Sequence, residues 1–364
     1  MSATAQPDRV GNITLETINA TTVDTVNRSS EINKRVLSNP QRWNGRYQSV
    51  PLFTNNSTLG QSFKGTETFD TSIDYNTTPM TFYPTGYAQP VGISVVERSI
   101  NATPAGVIEL YQNSYEYAQN SMITALGNMF YGYGTGNDFD GLGLIIDDGT
   151  NSSTYGGLSR TTYAANINAG GSTGLVAASG GVIDMATMDS ADDAATISGD
   201  ASETPNAILT TQTVWSLYAS LLTPTAMATY GSLGAAGGFI NGTSGNNTPV
   251  NMNSAPSYHG GTNSVTYRGK PVVRDQKALS GCMYFVNDKY LVFKSLNLMG
   301  LNQIATSERT VEGAYDNVKL TAFQFRTPMM PVNALSEVGI FVLYGNMYHK
   351  NPNRNEMITG ITTT

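Results

Sequence analysis

The residue types that carry most protein chemistry are scarce in this 364-residue chain: two histidines, His259 and His349, and one cysteine, Cys282. A Ser-His-Asp hydrolase needs a positioned base. His259 stands in a glycine-rich YHGGTNS stretch and His349 near the end of the chain, neither inside a catalytic phrase, and both are read as surface histidines. Cys282 follows a Ser280-Gly281 turn among apolar and aromatic residues, the setting of a buried small hydrophobe and not of a thiolate nucleophile. A lone cysteine excludes an internal disulfide, which fits a reducing compartment. Asp138-Phe139-Asp140-Gly141 has the start of a calcium loop but lacks the further ligands and the closing Glu. Gly132, Gly134 and Gly136 would suit a phosphate loop only if they preceded a helix, and they follow one. No catalytic, cofactor or metal site is expected.

Composition points to surface spent on neighbours. Charged residues make up only 13% of the chain, about half the usual share, and Asn, Thr, Ser and Gly supply the polarity. Charged side chains are depleted in interface cores. The net charge of -7 is uneven: residues 1–50 carry six basic and four acidic groups, 51–250 three and sixteen, 251–364 eleven and seven. An acidic centre excludes a groove that grips phosphates. The amino terminus, MSATAQPDRVGN, has no basic run leading into an apolar core, and no segment reaches 18 unbroken apolar residues, so neither export by a signal peptide nor a membrane span is expected. Sequons such as Asn12-Ile13-Thr14 are what an Asn- and Thr-rich chain produces by chance.

The element that organises the chain is a helix over 103–130. Val107, Tyr111, Tyr115, Ala118, Met122, Leu126 and Met129 recur at steps of three and four, the helical period. Thr103 suits the cap, Pro104 the first helical position, and Glu109 the positive end of the dipole. About 27 residues at about 1.5 Å each make a rod of about 40 Å. Before it, residues 1–60 read as a polar arm with a short helix from Ser30 to Leu37, stopped by Asn39-Pro40. Its Arg28, Lys34, Arg35, Arg42 and Arg46 suit an acidic neighbour, and Trp43, Tyr47 and Phe53 favour docking. From Gln61 to Asn101 the pattern alternates: Phe69, Thr71, Ile73 and Tyr75, a turn at Asn76-Thr77-Thr78-Pro79, then Met80 and Phe82, later Val91, Ile93 and Val95. This predicts a long hairpin, which needs another surface to lie on.

After the helix, 137–146 predicts a turn and a short buried strand, and Tyr155-Gly156-Gly157-Leu158-Ser159-Arg160 a glycine corner. Residues 164–204 and 226–266 suit surface loops. The chain closes with an alternating run, 318–325, and an apolar run, 337–346, long enough for a strand buried on both faces.

In this order, arm, hairpin, long helix, FDGL at Phe139–Leu142, Gly-Gly turn with Arg160, strand and helix at 206–222, and the 267–294 strands, the chain resembles the major capsid proteins of tailed bacteriophages with the Hong Kong 97-type fold. The resemblance spans about residues 60–360, and it implies that 206–222 form a strand then a helix capped by Thr210 or Thr211 and that 267–294 form a hairpin turning at Ser280-Gly281. It implies an α+β fold with an amino-terminal arm (1–60), an extended E-loop hairpin (61–98), a peripheral domain with the spine helix (99–165), an axial domain (166–314) and returning peripheral strands (315–364). It implies a structural protein and not an enzyme: a subunit of an icosahedral head around double-stranded DNA, built of hexamers and pentamers and located in the virion capsid after assembly in the host cytoplasm. Subunit contacts are expected from Arg28, Lys34, Arg35 and Trp43 of the arm and Phe69, Ile73, Tyr75, Met80 and Phe82 of the hairpin. A separate scaffold protein, a portal complex, a decoration protein and non-specifically contacted DNA are the implied partners, with no membrane. Some relatives join subunits through an E-loop Lys; residues 65–96 contain none, and Lys64 is placed at the loop's base. Deleting about residues 70–90 is expected to leave a folded subunit that forms no shell.

Three rivals remain. An encapsulin-like compartment shares the fold and encloses protein cargo. A secreted β-rich adhesion or carbohydrate-binding protein would be a monomer or small oligomer with an export route. An enzyme with an unrecognised site would carry a conserved acid-base cluster, which one sequence does not show.

Overall fold

The computed structural model describes residues 30–38, 40–73, 75–100, 104–171, 173–196, 203–222, 265–298, 302–303, 323–331 and 335–362, with the side chains of 104–112, 302–303 and 327 left aside. The chain opens with helix α1 (Glu31–Leu37) and strands β1 (Gln41–Arg42), β2 (Gln48–Phe53), β3 (Thr77–Phe82) and β4 (Thr85–Ser94). Helices α2 (Val95–Ile100), α3 (Pro104–Tyr131) and α4 (Leu142–Ile145), strands β5 (Thr154–Tyr155) and β6 (Leu158–Ser159), helix α5 (Ala164–Ile167), strand β7 (Val176–Ala177) and helix α6 (Met185–Ala195) follow. Then come strand β8 (Ala207–Thr210), helix α7 (residues 212–222), and strands β9 (Val265–Tyr267), β10 (Lys270–Arg274), β11 (Met283–Val286) and β12 (Leu291–Ser295). Strands β13 (Asn302–Gln303), β14 (Phe323–Met329), β15 (Ser336–His349) and β16 (Glu356–Thr359) complete the described chain.

The 28 residues of α3 rise about 42 Å, as the period predicts. Ala118, Met122, Leu126 and Phe130 are buried along one stripe, and the Tyr115 ring meets Phe325 and Phe341 edge-on at 5.3 and 6.1 Å. That stripe packs on the first sheet, ordered β1-β12-β15-β14-β13, where β4 also pairs with β15 from Ser336↔Ser94 to Gly345↔Thr85. The second sheet runs β7-β16-β11-β8-β10-β9 and has its own core, including Met188, Val214, Tyr218, Met283 and Phe285. Thr211 caps α7, its hydroxyl accepting from the Val214 N–H at 3.4 Å, as expected. Thr103, His259 and most of 226–266 lie outside the described residues.

Several expectations are corrected. The described residues of 69–75 form no strand: the hairpin arms are β2 and β3, paired from Gln48↔Phe82 to Phe53↔Thr77, and 54–76 links them. Alternation in a polar, Thr-rich stretch sets a period without a partner, so it cannot place the turn. Lys64 therefore stands inside the link and not at a loop base. Residues 142–145 are one turn of helix, because Gly141 lies so close to the end of α3 that a Cβ there would stand 2.3 Å from the Gly132 carbonyl. The 267–294 stretch is not one hairpin: β8 lies between β10, parallel to it, and β11, antiparallel to it. The fully buried AILT strand needs ladder partners on both edges. The tight hairpin there is β9–β10, turning at Arg268 and Gly269 with φ of 47° and 80°.

The segment after Met185 is not a loop either. Asp184 caps α6, accepting from the Thr187 N–H at 2.6 Å, and Met188, Ala191 and Ala195 are buried on the second sheet. Its acids face Arg268 and Lys270, so they stabilise packing: Arg268 lies 2.7 Å from Asp189 and 2.9 Å from Asp193. β15 is buried on alternate residues from 339 to 344 and continuously only from Gly345, since α3 covers one face of its first half. Finally, a boundary at 314/315 does not separate the sheets: β12 pairs with β15, and β16 with β11.

Candidate subunit interface

Exposed large apolar side chains recur along the β2–β3 ribbon and its link, as they do at Ile100, Tyr117 and Leu335 elsewhere. Phe53, Phe63, Phe69, Ile73 and Tyr75 are 78%, 65%, 52%, 75% and 86% exposed. Of the hairpin residues singled out in the sequence, Phe69, Ile73 and Tyr75 stand here, open to contact. Met80 and Phe82 do not: both are core residues, with Phe82 stacked on Tyr348 at 4.8 Å and edge-on to Tyr155 at 5.3 Å. On a ribbon, successive side chains alternate faces, and their parity falls on the inward face. The link binds itself locally. Gln61 donates to the Thr68 carbonyl at 2.8 Å, the Ser72 N–H donates to Asp70 at 2.9 Å, and the Phe63 and Phe69 rings meet at 5.3 Å. Those hydrogen bonds from Ser72 hold the Asp70 carboxyl below the ordinary range.

Three contacts fix the ribbon on the body of the chain. The Thr81 N–H donates to the Gly156 carbonyl at 2.8 Å. Gly156 has φ +55°, and a Cβ there would lie 2.8 Å from the Met80 Cβ, so only glycine lets the corner seat against β3. Asn166 donates to the Phe53 carbonyl at 3.2 Å on the opposite edge. Asn346 of β15 donates to both the Tyr83 carbonyl, at 2.9 Å, and the Asp140 carboxyl, at 2.8 Å. Burial pushes the Asp140 carboxyl up to about 6, the Asn346 bond partly opposing it.

The corner is itself braced by a buried arginine. Arg160 donates to the carbonyls of Asp147 at 2.6 Å and Ile167 at 2.7 Å, and also to that of Leu144. Burial lowers its pKa, with Asp147 opposing the shift. Asp147, fully buried, accepts the Ser152 N–H at 2.8 Å and the Asn151 side chain at 3.0 Å.

The described part of the arm docks on its own subunit. Ile32, Val36, Leu37 and Trp43 are buried, β1 runs parallel to β12, and the Trp43 N–H donates to the Ser295 carbonyl at 2.7 Å. Trp43 is thus a core residue and not a contact for a neighbour. Arg35 likewise pairs within the chain, with Asp288 and, at 3.4 Å, with Glu31. Lys34 is half-exposed, 3.7 Å from Glu31, and Arg28 lies outside the described residues. The buried Asp275 carboxylate gathers the arm and α3 together. It accepts from the Ser30 hydroxyl, the Ile32 N–H and the Tyr131 hydroxyl, each at 3.1 Å, and from the Lys277 N–H at 2.9 Å. At Gly127 of α3 a Cβ would stand 3.0 Å from Lys277 and 3.1 Å from the Ser30 hydroxyl.

His349 is fully buried and not a surface histidine. Its Nε2 lies 2.9 Å from the Asn287 carbonyl, Nδ1 accepts the Asn351 N–H at 3.2 Å, and burial lowers its pKa to about 4. It is held neutral and placed by carbonyl and amide groups. Cys282 is buried, and burial raises its pKa. Among the described residues no group of three or more His, Cys, Asp and Glu is placed to hold a metal, and no helix is long and apolar enough to cross a membrane. The sequence had supplied Phe69, Ile73 and Tyr75. It did not single out Phe63, Asn346 or Asp275 as partners, because each is defined by a contact more than a hundred residues away or by the absence of one.

The sequence matches no family model and no curated protein. The fold has clear likenesses among solved structures. A chain of the Cyanophage A-1(L) capsid asymmetric unit superposes with TM-score 0.65 at 14% identity, over 94% of this chain and 96% of that one. A chain of the holo-SrpI encapsulin complex from Synechococcus elongatus PCC 7942 gives 0.57 at 12% identity, over 98% and 96%. The capsid of a native GTA particle gives 0.54 at 10% identity, over 99% and 98%. The chain has the mixed α+β fold that these capsid subunits and the encapsulin share.

Proposed function

We propose that this chain is a major capsid protein of a tailed phage, self-assembling into an icosahedral shell around double-stranded DNA. The observation that carries this reading is the end-to-end likeness to a phage capsid subunit, which leaves no large part of either chain over. In that reading α3 is the spine helix, the β2–β3 ribbon with its link the E-loop, the first sheet the peripheral domain and the second the axial domain. Phe69, Ile73 and Tyr75, with Phe53 and Phe63, cover a neighbouring subunit, and Lys34 and Arg28 meet acidic surface there. Many contacts, each weak, then sum to a stable closed assembly. The role is structural and requires no catalysis. The acidic middle of the chain, with three basic against sixteen acidic groups over 51–250, suits a container that confines DNA without gripping it. A separate scaffold, a portal, a decoration protein and assembly in the host cytoplasm belong to the same reading.

The likeness to an encapsulin favours a second reading, a protein compartment with enzyme cargo. Sedimentation of particles from the native source, electron microscopy of the fast fraction and an assay for nuclease-protected DNA decide between them. Shells with protected DNA are expected. Shells holding protein without DNA would turn the assignment to the compartment, and a small soluble species with no shells, even with a scaffold supplied, would defeat both.

A further inference from the structure

The β2–β3 ribbon has a register in which paired residue numbers sum to a constant, so one hydrogen bond fixes the direction of every backbone group. The Thr54 N–H donates across to the Asn76 carbonyl at 2.9 Å, so this pair points inward, and with it 52/78, 50/80 and 48/82. The odd pairs, 49/81, 51/79 and 53/77, point their N–H and carbonyl groups away from the ribbon. Two further bonds agree: the Thr81 N–H reaches out to Gly156, and the Phe53 carbonyl is reached from outside by Asn166. Each edge therefore has three outward positions, and proline holds the middle one on both: Pro51 between Ser49 and Phe53, Pro79 between Thr77 and Thr81. Proline carries no N–H. The two prolines face each other across the ribbon, both exposed, where no core packing calls for them.

A two-stranded ribbon whose edges are each held by one bond at one end, at Thr81 and at Phe53, and otherwise lie next to exposed aromatic residues, is a template for further strands. We propose that Pro51 and Pro79 are a paired edge stop that bars strand addition by a second copy of this chain, so that copies meet at this element through side chains only. This deepens the shell reading and rests on it for the partner. The edge stop itself rests on the register alone.

The test compares the full chain with Pro51→Thr, Pro79→Thr and the double variant, by sedimentation and by amide hydrogen exchange of segments 48–53 and 77–82, free and assembled. Threonine favours strands, so the ribbon is retained. The double variant should form irregular polymers with slowed exchange in both segments, about tenfold for each amide that gains a bond, and each single variant should slow only its own segment. In wild-type assemblies the outward amides of Ser49, Phe53 and Thr77 should exchange as in the free subunit. Slowed exchange there on wild-type assembly, or a folded double variant that stays monodisperse with unchanged exchange, would overturn the proposal. A wild type that forms no shells beside a polymerising double variant would uphold the edge stop and defeat the shell reading.

Discussion

Asp275 stabilises by what it accepts. Its carboxylate takes one bond from the arm's hydroxyl at Ser30, one from the Ile32 N–H at the start of α1, one from Tyr131 at the end of α3 and one from the Lys277 N–H. Removing it leaves buried donors without partners, at about 1–3 kcal/mol each. Asp275→Ala is expected to lower the unfolding free energy by about 3 kcal/mol, and Asp275→Asn, which keeps one acceptor oxygen, by about half of that, both read from urea titration. Glu356 behaves in the opposite way. It is fully buried in β16, with Oε2 unpaired and Oε1 accepting the Met357 N–H at 2.9 Å, and burial raises its pKa from 4.5 to about 8. The folded chain holds this proton more tightly than the unfolded one, so its stabilising effect is full below about pH 4.5 and is lost as pH rises to about 8. Asp140, raised to about 6, adds the same sign over a lower window. His349, lowered to about 4, has the opposite sign below about pH 6.5, so thermal unfolding from about pH 6.5 to 9 should show falling stability, and Glu356→Gln should remove about 2 kcal/mol of that fall.

At the scale of elements, glycines decide where segments may touch. Gly127 sits inside α3, where glycine costs about 1 kcal/mol relative to alanine. It is placed where Ser30 and Lys277 approach, so Gly127→Ala gains propensity and loses the docking of the arm. Gly156→Ala has no such gain: φ of +55° and a Cβ 2.8 Å from Met80 both oppose it. It should destabilise by about 1–3 kcal/mol and speed exchange at the Thr81 amide, which the corner otherwise protects.

The whole molecule separates what holds the subunit together from what it offers to others. Deleting residues 70–90, the excision the alternation suggested, would remove Met80 and Phe82 from the core and the Thr85–Pro90 half of β4 from its pairing with β15, and should unfold the subunit. Replacing residues 55–75 by Asn-Gly joins Thr54 to Asn76, which already pair, by a turn suited to a two-residue hairpin. That variant should unfold within about 1 kcal/mol of wild type, since the exposed residues it removes touch no core, yet form no shells by electron microscopy. Shells of normal size from it would show that the link carries no contact between subunits.

The long helix, the cap at Thr211 and the turn glycines were legible because each is a local property: a period, a cap or a φ that few residues adopt. The same local reading reached the capsid-type fold through the order of its elements. It could not reach partner choice. Alternation is identical whichever strand lies alongside, so β8 lying between β10 and β11, or β2 rather than 69–75 pairing with β3, was decided by which edges and which apolar faces met. Nor could it say that Trp43, Met80 and Phe82 belong to the core while Phe69, Ile73 and Tyr75 stay exposed. Burial is a property of the packed chain, set by contacts hundreds of residues apart, and side chains of equal hydrophobicity differ in role only once the fold has placed them.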